Sequence, residues 1–137
     1  MATHASQIKT KPDPYEAFNI AQAYRAGDFI FVSGQAALDL EGNIVGEGDF
    51  EAQAVQAFNN LRAVLTAGGS DLDKLIKVNI YVTDMSNFET VVAIRERYFS
   101  APWPADTLVE VSALALPQLM IEIEGVALAD GEIRSAG

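Results

Sequence analysis

Cysteine is absent from the 137-residue chain, and histidine occurs once, as His4 in a polar N-terminal stretch. Without cysteine there is no disulfide framework, no thiolate nucleophile and no cysteine-based zinc site. The lone imidazole, placed where it is, also excludes a histidine-dependent triad inside the fold. Positive charge is scarce, with Lys+Arg 9 against Asp+Glu 19 and a formal net charge of -10. Phosphate binding draws on clustered Lys and Arg, so this balance argues against nucleic acid and anionic membrane as partners. No run is long and apolar enough to cross a bilayer, and Met1 to Lys11 lacks the apolar centre of a signal peptide. A cytoplasmic location is the resulting expectation. A Gly-rich phosphate loop, HExxH and GxSxG are missing too.

The residues that remain suit a globular core, since AVILMFWYC make up 50% of the chain and DEKR 20%. The length fits one domain at a typical size of roughly 100–150 residues. The apolar share is generous for so short a chain, which points to burial between subunits.

Along the chain, Met1 to Pro14 is polar and proline-containing and reads as a loose arm. The expected organisation is a flexible arm over 1–17, a single α+β domain over 18–129 and a tail over 130–137. Ile20 to Arg25 and Phe29 to Ser33 have strand character, joined by a hairpin turn at Ala26-Gly27-Asp28. Asp39 to Asn43 forms another turn, before a weak strand at Ile44-Val45. Asp49 suits an N-cap, and Ala54, Phe58, Leu61 and Leu65 recur on one helical face until Gly68-Gly69 ends it. Ile76, Val78, Ile80 and Val82 alternate with Lys77, Asn79, Tyr81 and Thr83 as a half-buried strand. Ser86 to Glu89 fits a capping box opening a helix whose apolar side carries Phe88, Val91, Val92, Tyr98 and Phe99. Pro102 and Pro104 break that helix, and Thr107 to Ser112 and Leu119 to Leu128 give two more strands. The pattern predicts two helices packed on one face of a mixed sheet.

Three places carry candidate chemistry. Ser33-Gly34-Gln35 closes a strand, where serine binds a substrate oxygen or, more commonly, makes a turn. Glu122 and Glu124 alternate with Ile121 and Ile123, so both carboxylates share one sheet face. That face is ordinarily solvated; covering it by a subunit interface would raise a carboxyl pKa and suit proton transfer near neutrality. Asp106 stands at a strand entrance after a proline-rich turn, where aspartate commonly satisfies turn amides.

Several segments taken together say more. Tyr24 to Gln35, Leu75 to Met85, Pro104-Ala105, Val109 to Leu114, Leu116-Pro117 and Ile121 to Ala127 resemble, in order, the signature segments of the RidA/YjgF-like reactive intermediate deaminase family. The resemblance implies a chorismate-mutase-like α+β subunit that assembles as a homotrimer with small-molecule clefts between subunits. It further implies hydrolysis of reactive enamines and imines to a 2-keto acid and ammonia, through a bound water and with no metal or organic cofactor. By position, the water-handling glutamate is Glu122, the pocket serine is Ser33, and Tyr24 and Tyr81 are the candidate aromatic contacts.

The arginine with which the family clamps a substrate carboxylate is here replaced, the motif reading Pro104-Ala105-Asp106-Thr107. Leu108, Ile20 and Leu116 mark further departures, at a frequent cysteine, an early tyrosine and a basic position. An anion in that cleft repels carboxylates and favours an amine or a neutral carbonyl compound. If Asp106 and Glu122 share the cleft, one raises the pKa of the other. Arg25, Arg95 and Arg97 are candidate replacement cations. The expectation is a diverged enamine or imine hydrolase acting on a small metabolite other than the standard 2-imino acids. The alternative is a non-catalytic trimeric binding or protein-interaction module. The family's endoribonuclease label does not suit a chain this acidic, with no basic run.

Overall fold

A computed structural model describes residues 3–137 and shows a six-stranded mixed sheet with two α-helices packed on it. In chain order the elements are β1 (Ala5–Ile8), β2 (Ala23–Ala26), β3 (Phe29–Ala36), α1 (Phe50–Ala67), β4 (Leu75–Val82), α2 (Phe88–Tyr98), β5 (Ala105–Glu110) and β6 (Ile121–Leu128). The strands lie side by side as β1-β2-β3-β6-β4-β5. β4 and β5 pair in parallel and every other neighbouring pair is antiparallel.

Side-chain alternation decides which face the helices cover. Ile30 and Val32 on β3, Val78 and Ile80 on β4, and Ile121 and Ile123 on β6 are buried under the helices. Phe58, Leu61 and Leu65 of α1 meet them fully buried, each such side chain contributing about 1.5–3 kcal/mol of transfer free energy. The Asp49 carboxylate accepts from the Ala52 N–H at 3.0 Å, so α1 starts where the capping residue predicts. Past its end Gly69 takes φ +81, a conformation glycine reaches without strain.

The opposite face of the sheet is left open. Phe29 and Phe31 on β3, Tyr24 on β2 and Val109 on β5 are exposed there, beside half-buried Glu122 and Glu124 of β6. This is the face that the alternation in β6 assigned to both carboxylates.

Four expectations change. The N-terminal segment is not loose throughout: β1 pairs with β2, and Ile8 joins the core. Buried Gln22 ties the segment down, accepting from the Thr10 N–H at 2.6 Å and donating to its hydroxyl at 3.0 Å. Ser86 to Glu89 is not a capping box, because Met85–Asn87 form a 3-10 turn capped by Asp84, whose carboxylate accepts from the Ser86 N–H at 2.9 Å. On α2 the buried stripe runs through Val91 and Ile94, leaving Phe88 and Val92 exposed on the other edge. Finally, Ser33-Gly34 does not end β3. The strand continues to Ala36, and between the Val32–Gly125 and Gln35–Ile123 pairs two β3 residues oppose one on β6, a β-bulge.

Candidate active site

The bulge builds the site. Glu122 stands on β6 between Ala36 of β3 and Tyr81 of β4. Its carboxylate lines a cavity of about 430 Å³ with Tyr15, Phe18, Ser33, Leu38 and Leu119. The walls are mainly apolar, so burial, with the charge of Glu124 adding to it, pushes the Glu122 carboxyl above the usual carboxylate range. A Cβ on Gly34 would lie 2.7 Å from Glu122 Cδ. The carboxylate therefore lies across the glycine, and only a residue without a side chain fits beneath it.

Ser33 and Tyr15 frame this group differently. The Ser33 hydroxyl donates to the Ala21 carbonyl at 2.6 Å, which leaves its lone pairs to accept a bond from a ligand N–H. The Tyr15 hydroxyl donates to the Gly34 carbonyl at 2.7 Å and accepts from the Ala36 N–H at 3.4 Å. Burial pushes its pKa up to about 12, so Tyr15 holds the bulge rather than exchanging protons near neutrality. Next along β6, Glu124 accepts from the Tyr81 hydroxyl and from the Asn79 amide. The Glu124 bond raises the Tyr81 pKa above that of a free phenol.

Asp106 lies elsewhere. It sits opposite Val78 on the parallel β4–β5 pair, on the helix-covered face. Arg95 of α2 donates from Nη2 to Asp106 Oδ1 at 2.8 Å. Arg95 Nε also lies 2.8 Å from Oδ2, close enough for an ion pair but off the direction of a hydrogen bond. This pair borders a second cavity of about 440 Å³ between α2 and the Trp103 turn. Within one chain Asp106 and Glu122 thus line separate cavities.

The other sequence candidates divide. Ser33 and Glu122 share a cavity. Tyr24 lies opposite Phe31 on the open side of the sheet and outside that cavity, as does Tyr81. Of the three candidate cations, Arg95 reaches Asp106, Arg25 donates to the Gly27 carbonyl and Arg97 stacks over the Tyr98 ring.

Comparison with known proteins shows the family and the fold. The family model described as Endoribonuclease L-PSP matches residues 8–129. A RutC family protein of Pyrococcus horikoshii is 37% identical over 88% of this chain and 94% of its own. A Rid-family protein of Yersinia pestis has a solved structure that aligns with a TM-score of 0.84 at 34% identity, covering 91% of this chain and 99% of that one. The chain belongs to the RidA/YjgF-like family. A Rid relative named 2-iminobutanoate/2-iminopropanoate deaminase, from Dermatophagoides farinae, is 29% identical over 87% of this chain and 92% of its own. Another, from Saccharomyces cerevisiae, is named Protein MMF1, mitochondrial, and is 32% identical over 92% of this chain and 86% of its own.

As a Rid-family protein the chain has the two-helix, mixed-sheet fold its sequence predicted. Two residues and one pairing escaped the sequence. Tyr15 reaches the cavity from the turn before Phe18; its Pro14-Tyr15 pair was the available signal. Gly34 was visible only as part of a turn, and the Arg95–Asp106 pair needed the packing of α2 against β5.

Proposed function

We propose that this Rid protein hydrolyses an imine or enamine of a small metabolite other than the standard 2-imino acids, without metal or organic cofactor. The observation that carries the reading is Glu122, a carboxylate of raised proton affinity set among apolar walls, next to a serine whose lone pairs face the same cavity. In this mechanism Glu122 takes a proton from water as the water oxygen bonds to the imine carbon. The C=N π pair moves to nitrogen, and Glu122 hands that proton to it, which gives a carbinolamine and returns Glu122 to its carboxylate. The resulting carbinolamine breaks its C–N bond as Glu122 passes the hydroxyl proton to nitrogen, releasing a carbonyl compound and ammonia. Ser33 accepts a hydrogen bond from the imine N–H.

The proposal includes a homotrimer. Exposed Phe29, Phe31 and Val109 on the open sheet face, with Phe88 and Val92 on α2, supply apolar surface for it. In that assembly the Glu122 cavity of one copy meets the Asp106 cavity of its neighbour, with Tyr24 and Tyr81 at the inter-subunit surfaces. The ligand is a small molecule rather than nucleic acid or membrane. The cytoplasm is the proposed location, although one relative's name carries a mitochondrial label.

Incubation with a panel of imines and enamines, with ammonia and carbonyl product measured, tests the reading. Accelerated hydrolysis of at least one member is expected. Binding without acceleration across the panel would overturn it in favour of a non-catalytic binding module, a reading supported by Asp106 at the position where the family resemblance implies an arginine.

A further inference from the structure

We infer that the Arg95–Asp106 pair is an anion clamp already filled from within the chain, and that it selects an uncharged substrate by excluding carboxylates. The inference rests on the reading of this cavity as half of the hydrolytic cleft.

The cavity between α2 and the Trp103 turn is walled by Val92, Phe99 and Trp103, with Arg95 and Asp106 at one side and exposed Glu96 at its rim. The pair is largely withdrawn from water, with side-chain exposures of 23% for Arg95 and 16% for Asp106. Arg95 Nη2 and Nε both face the Asp106 carboxylate, so the planar fork that suits a carboxylate ligand is occupied. A substrate carboxylate entering here competes with one tethered at an effective concentration in the millimolar range or above. A cation gains little at the pair either, because Asp106 is already neutralised by Arg95. An uncharged group loses nothing, and the apolar walls favour it.

Trp103 contributes to that selection. Its backbone has φ +68, a left-handed conformation unusual for a bulky residue, held by the Trp103 N–H bond to the Ser100 carbonyl at 2.9 Å. The turn thereby sets an indole, rather than a polar side chain, at the mouth of the cavity.

The test compares 2-iminobutanoate with its uncharged amide, each generated in situ, in wild type and Asp106→Asn. Wild type is expected to favour the amide in kcat/KM by about 10–100-fold, the range for a lost charge-assisted pair. Asp106→Asn frees Arg95, and the KM for the carboxylate is expected to fall by a similar factor, which moves the acid-to-amide ratio of kcat/KM towards the acid. Calorimetric titration with 2-oxobutanoate and 2-oxobutanamide reads the same preference without turnover. Equal handling of acid and amide by wild type overturns the inference and needs no variant to fold. An unchanged acid-to-amide ratio in a folded Asp106→Asn protein overturns it as well. If nothing is hydrolysed but Asp106→Asn gains affinity for 2-oxobutanoate, the clamp stands and the hydrolytic reading fails.

Discussion

Gly34→Ala separates the placement of Glu122 from the stability of the fold. The added Cβ would come 2.7 Å from Glu122 Cδ and 3.0 Å from Cγ. Ordinary carbon contacts lie at about 3.5–4.0 Å, so the carboxylate must move by about 1 Å. The atoms in the way are the far end of a flexible side chain, and Gly34 does not occupy a positive-φ conformation. Moving one side chain off its rotamer costs about 0.5–1.5 kcal/mol. Replacing glycine by alanine at a compatible φ returns about 0.4–1 kcal/mol through the unfolded state. Thermal melts should therefore place the variant within about 1 kcal/mol of wild type, whereas a 1 Å misplacement of a reacting group costs about 100-fold in rate. Ammonia release reads the rate, and a carboxyl-carbon NMR titration reads the Glu122 environment directly. The Glu122 pKa should fall towards the usual carboxylate range as the group swings into water. A folded Gly34→Ala protein with unchanged turnover and an unchanged Glu122 titration would show that Gly34 does not place the carboxylate.

The same substitution at Gly125 should behave oppositely, because its Cβ would meet the Lys77 carbonyl oxygen at 2.9 Å, and backbone cannot swing aside. A stability loss of about 1–3 kcal/mol by denaturant titration is expected. Asp49→Ala removes the cap of α1 and should cost about 1 kcal/mol, a Tm drop of about 3–5 °C by calorimetry. Glu122→Gln should raise stability at neutral pH. The folded-state Glu122 pKa is raised, so its contribution favours folding at low pH and is lost as pH rises through the folded pKa. The Tm advantage of the variant should accordingly shrink as pH falls towards the ordinary carboxylate range, as thermal melts across pH would show.

The sheet and both helices were legible because period-two alternation in β4 and β6, and the spacing of Phe58, Leu61 and Leu65, repeat a signal that burial enforces. β1 was not legible, since three of its four residues are exposed and only Ile8 carries an apolar signal. Its pairing is decided by the unfilled edge of β2 and by the Gln22 side chain, neither of which a local pattern contains. Ser33 and Glu122 were candidates from the strand pattern and from the family motifs, and the structure brings them to one cavity. The bulge that joins them depends on the β3–β6 register, a non-local property. For Asp106, a cleft shared with Glu122 was a conditional expectation, and Arg95 was legible only as one of three candidate cations. Parity within β5 turns Asp106 to the opposite face, where Arg95 from α2 compensates it.

In the proposed mechanism Glu122 handles the water that hydrolyses an imine. The decisive measurement is ammonia release from the best substrate of the imine panel, by wild type and Glu122→Gln at matched concentration. Loss of at least about 100-fold in kcat, with the variant folded, is the expected result for removal of a general base. Equal rates for the two proteins would contradict the claim.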